Sequence, residues 1–183
     1  MIVINARFLT QKTTGVQRYA IEICKILPKY IKNTEIIFVA PKGHLINGIK
    51  LKNKKIIQFG NFKGHLWEQI DLLHFLKKNK KPILINFGGI GPAWYKNKIT
   101  YIHDLAFKHY PEAFSYFFQK TYNIFVPISA KNSLKVITVS NYVKKDIENH
   151  FKIKNIDVIY AAQNNHFKNL NLNREKIILA VSS

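Results

Sequence analysis

The chain has 183 residues, of which 47% are hydrophobic, so it is long enough for one domain with a full core and short for two. No segment approaches the ~18 consecutive apolar residues of a membrane-spanning helix, and the N-terminus lacks the features of a secretory signal peptide. The net charge of +19, from 29 basic against 10 acidic residues, predicts attraction to phosphates, nucleic acid or an anionic membrane.

Short β-branched segments alternate with amphipathic helical patterns along the chain. Strands are predicted at residues 2–4, 35–40, 55–59, 82–86, 99–102, 135–140 and 156–160. Apolar residues at helical spacing lie between several of these segments. The alternation predicts an α/β fold, in which an open and mainly parallel sheet carries helices on both faces.

The first helix is predicted to begin after Thr14, which serves as N-cap while Gln17 completes a capping box. Gly15 at the helix start leaves backbone amides open to an anion such as a phosphate, although a single glycine is a weak signal without a fuller motif. Arg18 lies opposite the apolar stripe, where it either reaches a ligand or pairs with Glu22 on the surface. The surface pair is the favoured interpretation.

A second helix is predicted from an apolar stripe, with Trp67 on its flank filling the core. The stripe consists of Leu66, Ile70, Leu73 and Leu76. The next strand ends at Asn86 and runs into a loop that contains Gly88, Gly89 and Gly91. These glycines allow the backbone to approach a ligand, and a tight connection explains them equally well. Asn86, Gly88 and Gly89 are therefore candidate substrate-binding residues.

The clearest candidates for chemistry are His103 and Asp104, which directly follow the fifth predicted strand. Ligands of open α/β sheets bind beyond the carboxyl ends of the strands, so residues at that position are the first candidates for a site. Successive strand residues point to opposite faces, so only one of the two can face a given pocket. His103 is predicted to be the reactive group, and Asp104 is predicted to orient it or to anchor the loop.

No metal centre is predicted. His109 follows His103 by six residues, which is not the i, i+4 spacing of a helical zinc site. No nearby acid has an evident role as a ligand. The histidines are therefore interpreted without a metal.

A segment rich in aromatic rings follows, and its helical spacing favours burial in the core over a platform for stacking. Its members at helical spacing are Phe114, Phe117, Phe118, Tyr122 and Phe125. Ser140 is interpreted as the N-cap of a last helix, because no Gly-x-Ser-x-Gly elbow surrounds it.

The lysine clusters leave two interpretations of the charge open. One is attraction to an anionic membrane surface, for which ~4–8 basic residues suffice, and the other is a set of solvated lysines that reflects coding bias. The clusters are Lys50, Lys52, Lys54 and Lys55, and Lys77, Lys78, Lys80 and Lys81. Nucleic acid is disfavoured, because no zinc finger, basic zipper or RNA-binding aromatic signature accompanies the charge. The single Cys24 is interpreted as a buried hydrophobic residue. Because it cannot form an internal disulfide, a reducing cytoplasm is the predicted location. Peripheral contact with the inner face of the cell membrane is the alternative location.

Five segments, in their order along the chain, carry a resemblance to a known family. They are residues 5–9 (Asn-Ala-Arg-Phe-Leu), 14–22 (Thr-Gly-Val-Gln-Arg-Tyr-Ala-Ile-Glu), 101–105 (Tyr-Ile-His-Asp-Leu), 136–140 (Val-Ile-Thr-Val-Ser) and 158–160 (Val-Ile-Tyr). Together they resemble the N-terminal half of bacterial family 4 glycosyltransferases, over essentially the whole chain. The resemblance implies the GT-B fold, in which two Rossmann-like domains face each other across a cleft.

The resemblance also implies an activity: retaining transfer of a sugar such as a hexosyl, mannosyl or rhamnosyl group, without a metal or other cofactor. The nucleotide-sugar donor is held mainly by the C-terminal domain, and a glycan or glycolipid acceptor mainly by the N-terminal one. By this resemblance Gly15 lies near the donor phosphates and His103 near the transferred sugar. Many members build lipopolysaccharide, capsule or other surface glycans from the cytoplasmic side.

The expected domain organisation is an acceptor-side domain at residues 1–160, an Asn-rich linker at 161–175, and a strand at 176–183 that begins a second domain. The basic residues and the Glu-x7-Glu motif that hold the donor in such enzymes do not occur in the sequence after this strand. The resemblance therefore predicts a truncated enzyme that is inactive alone. The donor-binding domain is then supplied, if at all, by another chain.

Overall fold

A computed structural model of the protein describes residues 1–46, 51 and 54–162. In this part of the chain, seven strands form one sheet in the order β3-β2-β1-β4-β5-β6-β7, and every neighbouring pair is parallel. The strands are β1 (Ile2–Asn5), β2 (Ile36–Ala40), β3 (Lys55–Gln58), β4 (Ile83–Asn86), β5 (Lys98–Tyr101), β6 (Lys135–Thr138) and β7 (Ile156–Val158). The predicted parallel α/β architecture is confirmed.

Helices connect several of the strands in the described part of the chain. They are α1 (Gly15–Tyr30), α2 (Gly64–Trp67), α3 (Leu73–Lys78), α4 (Ala106–His109), α5 (Tyr116–Lys131) and α6 (Asn141–Phe151). A π-helical segment, Glu68–Leu72, joins α2 to α3. Ser140 caps α6 as predicted, because its hydroxyl accepts a hydrogen bond from the Val143 amide at 3.2 Å.

Hydrophobic clusters cover both faces of the sheet, because successive strand residues point to opposite sides. Val3 packs in the cluster that contains Trp67 and Leu72, whereas its neighbour Ile4 packs in the cluster that contains Cys24 of α1. Cys24 is fully buried, as predicted, and its burial raises the pKa of the thiol. The prediction of helices on both faces is therefore confirmed.

The predicted apolar stripe of the second helix is partly wrong. Leu66 and Ile70 are 60% and 46% exposed, whereas Trp67 and Leu72 are fully buried. The cause is the π-helical turn, which carries an extra residue, so the buried side chains follow each other at a spacing of five instead of three or four. Leu76 is buried as predicted.

The aromatic segment follows the predicted core in part. The prediction is wrong at Phe117, which is 83% exposed. The other four rings are partly buried and pack against the core cluster that contains Val126 and Ala130 of α5, as predicted: Phe114, Phe118, Tyr122 and Phe125. Phe118 and Tyr122, on a different side of the helix from Phe117, are partly buried. The first half of α5 thus presents one side to solvent and the other to the cavity described below.

No helix in the described ranges is both long and apolar enough to cross a membrane. Most of the predicted linker and the whole predicted strand at 176–183 lie outside the described residues, as do Lys50 and Lys52. The second lysine cluster, Lys77 to Lys81, is exposed at the end of α3 and just before β4.

Candidate functional site

A cavity among the described residues lies at the carboxyl edge of the sheet. Its volume is about 630 Å³, which is in the usual range for a small-molecule site. Asn5 at the end of β1, Phe87 just after β4 and His103 just after β5 contribute to its wall. These strands are adjacent at the centre of the sheet, so their carboxyl ends bring distant parts of the chain together.

His103 lies in the wall of this cavity, where its ring is partly buried. Its Nε2 lies 3.1 Å from the carbonyl oxygen of Phe87, which can only accept, so Nε2 carries the proton and Nδ1 keeps a lone pair in the neutral ring. Burial lowers the pKa of His103, against the opposing effects of the Phe87 carbonyl and the Asp104 carboxylate. The ring is therefore neutral at physiological pH and offers a hydrogen-bond acceptor.

The contact made by Asp104 is that of a loop anchor. Its Oδ1 accepts a hydrogen bond from the Ala106 amide at 2.9 Å, at the start of α4. The side chain is exposed and borders the cavity. The His103 ring instead meets the aromatic ring of Tyr19 edge to face at 5.2 Å, a contact that the sequence did not predict.

The glycine loop after β4 contributes Gly88 and Gly89 to the cavity wall. Asn86 is fully buried. Its side-chain oxygen accepts a hydrogen bond from the side-chain amide of Asn5 at 2.7 Å, and its side-chain nitrogen donates to the Gly88 backbone carbonyl. Gly91 has a φ of +52°, and a Cβ there would lie 2.5 Å from the Asn86 Nδ2. The geometry therefore makes Asn86 and Gly91 determinants of the loop's shape, while Gly88 and Gly89 present backbone to a ligand.

The start of α1 opens at the same cavity. Thr14 is the N-cap, as predicted, and its amide donates to the Gln17 Oε1 at 3.0 Å. Both residues line the cavity. Gly15 is exposed, and a Cβ at this position would meet nothing within 4 Å. Space for a ligand atom next to the first helical amides is therefore present.

The predicted ion pair between Arg18 and Glu22 is wrong. Glu22 pairs with Lys25 instead, at 2.7 Å. A Glu placed N-terminal to its basic partner is the favoured order on a helix, which explains why Lys25 and not Arg18 takes the contact. Arg18 is exposed on α1 and is not among the residues that line the cavity.

A buried polar network, which the sequence did not predict, forms one side of the cavity. Glu68, at the first position of the π-helical turn, is 1% exposed. Its Oε1 lies 3.1 Å from the Arg7 Nε and accepts a hydrogen bond from the side-chain amide of Asn5 at 2.8 Å. Its Oε2 lies 2.7 Å from the His65 Nδ1. The carboxylate thus holds together β1, the turn after it and α2.

Burial by itself would raise the pKa of Glu68. The Arg7 guanidinium, the His65 ring and the Asn5 amide act in the opposite direction, and together they hold the pKa of Glu68 below its ordinary value. The group is therefore a carboxylate at physiological pH. Arg7 and Glu68 both line the cavity, so a ligand meets a charge pair that is largely neutralised.

Aromatic rings form another part of the cavity wall. Phe118 stacks on Tyr122 with ring centroids 3.9 Å apart and on Phe114 with centroids 5.0 Å apart. All three line the cavity, and the His65 ring meets Tyr122 edge to face at 5.6 Å. The site thus has a polar side and an apolar side.

The family of the chain is shown by comparison with known families. The family model of Glycosyltransferase Family 4 matches residues 13–162, which include α1, β5 and the His103–Asp104 loop. No curated protein matches the chain significantly. The match covers most of the sequence, and the observed parallel sheet is the one expected for the N-terminal half of a GT-B fold. The chain belongs to Glycosyltransferase Family 4.

Proposed function

We propose that this domain holds the acceptor in a retaining sugar transfer from a nucleotide-sugar, which is bound by a second domain on this or another chain. The observation that supports the proposal best is the two-sided cavity at the carboxyl edge of a family 4 domain. Its polar side suits the hydroxyl groups of a sugar, and its aromatic side suits an apolar ring face or a lipid tail. The acceptor we propose is a glycolipid or glycan used in cell-surface polysaccharide synthesis at the cytoplasmic face of the membrane.

His103 is the residue we assign to the transferred sugar. A neutral imidazole with a free lone pair on Nδ1 can accept a hydrogen bond from a sugar hydroxyl. In a reaction through an oxocarbenium-like centre, fixed dipoles and charges stabilise the developing charge without rearrangement. No metal ion is part of the proposal, since the leaving diphosphate can be stabilised by helix N-termini and basic groups.

The buried polar network around Glu68 fixes the part of the cavity wall that we assign to the acceptor. Glu68 is fixed through both carboxylate oxygens, so the cavity wall on which an acceptor hydroxyl rests does not rearrange when substrate binds. Asn86 extends the same network to Gly88 through its bond to Asn5. The wall formed by β1, β4 and α2 is thus preorganised.

Binding of model glycosides tests the proposal on the chain as it stands. We expect octyl α-mannoside and octyl α-rhamnoside to bind more tightly than the methyl glycosides, because an alkyl chain gains contact with the aromatic wall. Phe118→Ala is expected to weaken octyl glycoside binding about tenfold, which is ~1.4 kcal/mol. Saturation-transfer NMR and titration calorimetry measure both effects.

Phe117→Ala is the matched control, because Phe117 neighbours Phe118 in sequence but is 83% exposed. We expect the Phe117 variant to bind glycosides as the wild type does. Absence of saturable binding for every glycoside, or equal effects of the Phe117 and Phe118 substitutions, would contradict the assigned acceptor site.

A second candidate function is peripheral contact with an anionic membrane, and one observation favours it. Along one side of α5, Tyr116, Phe117 and Ile124 are 70%, 83% and 53% exposed, and the Lys120 Nζ lies 5.0 Å from the Tyr116 ring centroid. Exposed rings beside a lysine are typical of a surface that lies against lipid headgroups. The start of α5 is at the cavity edge of the sheet, whereas Lys77 to Lys81 precede β4 at the opposite edge.

Vesicle sedimentation tests this second candidate. We expect the chain to bind vesicles of phosphatidylglycerol and phosphatidylcholine at low salt, and to bind them less as salt rises. Lys120→Ala is expected to weaken binding about fivefold, since one basic residue at the surface contributes ~1 kcal/mol. Phe117→Ala should weaken it as well, while Phe118→Ala should not. Equal binding to vesicles of zwitterionic phosphatidylcholine, which has no net charge, would contradict an electrostatic contribution to membrane binding.

A further inference from the structure

Two helices bring three metal-ligating side chains together outside the cavity. His109 is the last residue of α4, and Asp146 and His150 lie one turn apart on α6. The His109 Nε2 is 2.7 Å from the Asp146 Oδ2, and the His150 Nδ1 is 3.0 Å from the Asp146 Oδ1. One ligand atom from each of the three side chains lies within 4.8 Å of the other two.

We propose that His109, Asp146 and His150 bind a divalent transition-metal ion of the zinc type. Two imidazoles and a carboxylate are ligands that zinc accepts, and its tetrahedral site needs only one further ligand, which water supplies. Asp146 and His150 stand at the i, i+4 spacing that places two ligands on one face of a helix. The ligand atoms already converge, so modest side-chain adjustments bring them to bonding distance.

The position of Asp146 is the second argument. Its side chain is only 13% exposed and sits between the two imidazoles, with one oxygen directed to each. The rings of His109 and His150 are 5.4 Å apart, and each is more than one-third exposed. A hydrated ion can therefore reach the three ligands from solvent. It would replace the hydrogen bond between the His109 ring and the carboxylate, and the one that the His150 Nδ1 makes to the Asp146 backbone carbonyl at 2.9 Å.

A metal ion here would clamp α4 onto α6. The chain between His103 and His109 forms the loop and helix whose Ala106 and Phe107 line the cavity. Fixing the end of α4 would therefore restrict the motion of one cavity wall. It would also stabilise the folded domain in proportion to metal occupancy. The metal site itself does not depend on which ligand the cavity takes, so it and the proposed sugar site can succeed or fail separately.

The test is titration of the full chain, freed of metal with a chelator and then dialysed, with zinc chloride in a calorimeter. We expect one zinc ion per chain and a rise in the melting temperature, with no such response to magnesium chloride. His109→Ala and His150→Ala should each weaken zinc binding at least tenfold. His44→Ala is the control, because His44 is exposed and lies in a different part of the fold.

A second measurement needs no variant. Zinc should shift the NMR signals of the His109 and His150 rings and leave those of His44 and His74 in place. Failure to bind zinc saturably, zinc binding that both variants retain, or ring shifts spread evenly over all histidines would each overturn the proposal.

Discussion

Replacing Glu68 with leucine is expected to lower the free energy of unfolding by about 3–5 kcal/mol, as loss of one partner from a buried ion pair usually does. The substitution leaves the Arg7 guanidinium, which is 17% exposed, without its carboxylate. It also removes the acceptor for the Asn5 amide and the partner of the His65 ring. Urea unfolding followed by circular dichroism measures the loss.

Glu35→Leu is the matched control for this prediction. Glu35 forms an ion pair with Lys55 at 2.9 Å, but both side chains are more than half exposed. Exposed pairs contribute ~0–1 kcal/mol, so the control should unfold almost as the wild type does. The double variant Arg7→Met, Glu68→Leu should lose less stability than the two single variants added together. Strict additivity would show that the two side chains do not act as a pair.

The same carboxylate makes the fold sensitive to acid. The folded pKa of Glu68 lies below its ordinary value of 4.5, so the unfolded chain takes up this proton first as the pH falls. The stability from Glu68 is therefore complete above pH 4.5 and is lost as the pH drops through the lower folded pKa. In Glu68→Leu this part of the acid dependence should be absent.

The sheet and the location of the site could be predicted from the sequence because both depend on local patterns. Runs of β-branched residues mark each strand, and Thr14 and Ser140 carry the hydroxyl groups that cap helices. His103 is predictable as a site residue because α/β proteins place ligands at strand ends on the sheet edge, and the structure puts it in the cavity wall. Its part in catalysis remains a prediction.

The rest of the site depends on contacts between residues far apart in the chain. Glu68 is 63 residues from Asn5, and the π-helical turn that directs it inward has no marker in the sequence. His109 and Asp146 are 37 residues apart, and only the i, i+4 spacing of Asp146 and His150 could have indicated the cluster. Phe118 packs against the core as its spacing predicts, but it also lines the cavity, and periodicity does not distinguish a core face from a cavity face.

Replacing Lys98 with methionine is expected to destabilise the domain by about 2–5 kcal/mol, because carbonyls left without a donor in the interior cost ~1–3 kcal/mol each. Lys98 is fully buried at the start of β5. Its Nζ donates to the carbonyls of Pro92, Ala93 and Tyr95 at 3.2, 3.0 and 2.7 Å. Methionine fills the same space and donates to none of them, so the Ala93 and Tyr95 carbonyls lose the donor that Lys98 supplied, while the Pro92 carbonyl keeps the Tyr95 backbone amide at 3.0 Å. Lys96→Met is the control, because Lys96 is exposed two residues away.

The Lys98 side chain should also give stability a pH dependence with a defined sign. Burial lowers the pKa of Lys98 from 10.5 to about 7, so between these values the unfolded chain holds a proton that the folded chain has released. The free energy of unfolding should therefore rise with pH across this window, by at most about 1.4 kcal/mol per pH unit from this group. Lys98→Met should lack the rise. An equal pH dependence in both proteins would mean that the three carbonyls keep the ammonium group charged despite its burial.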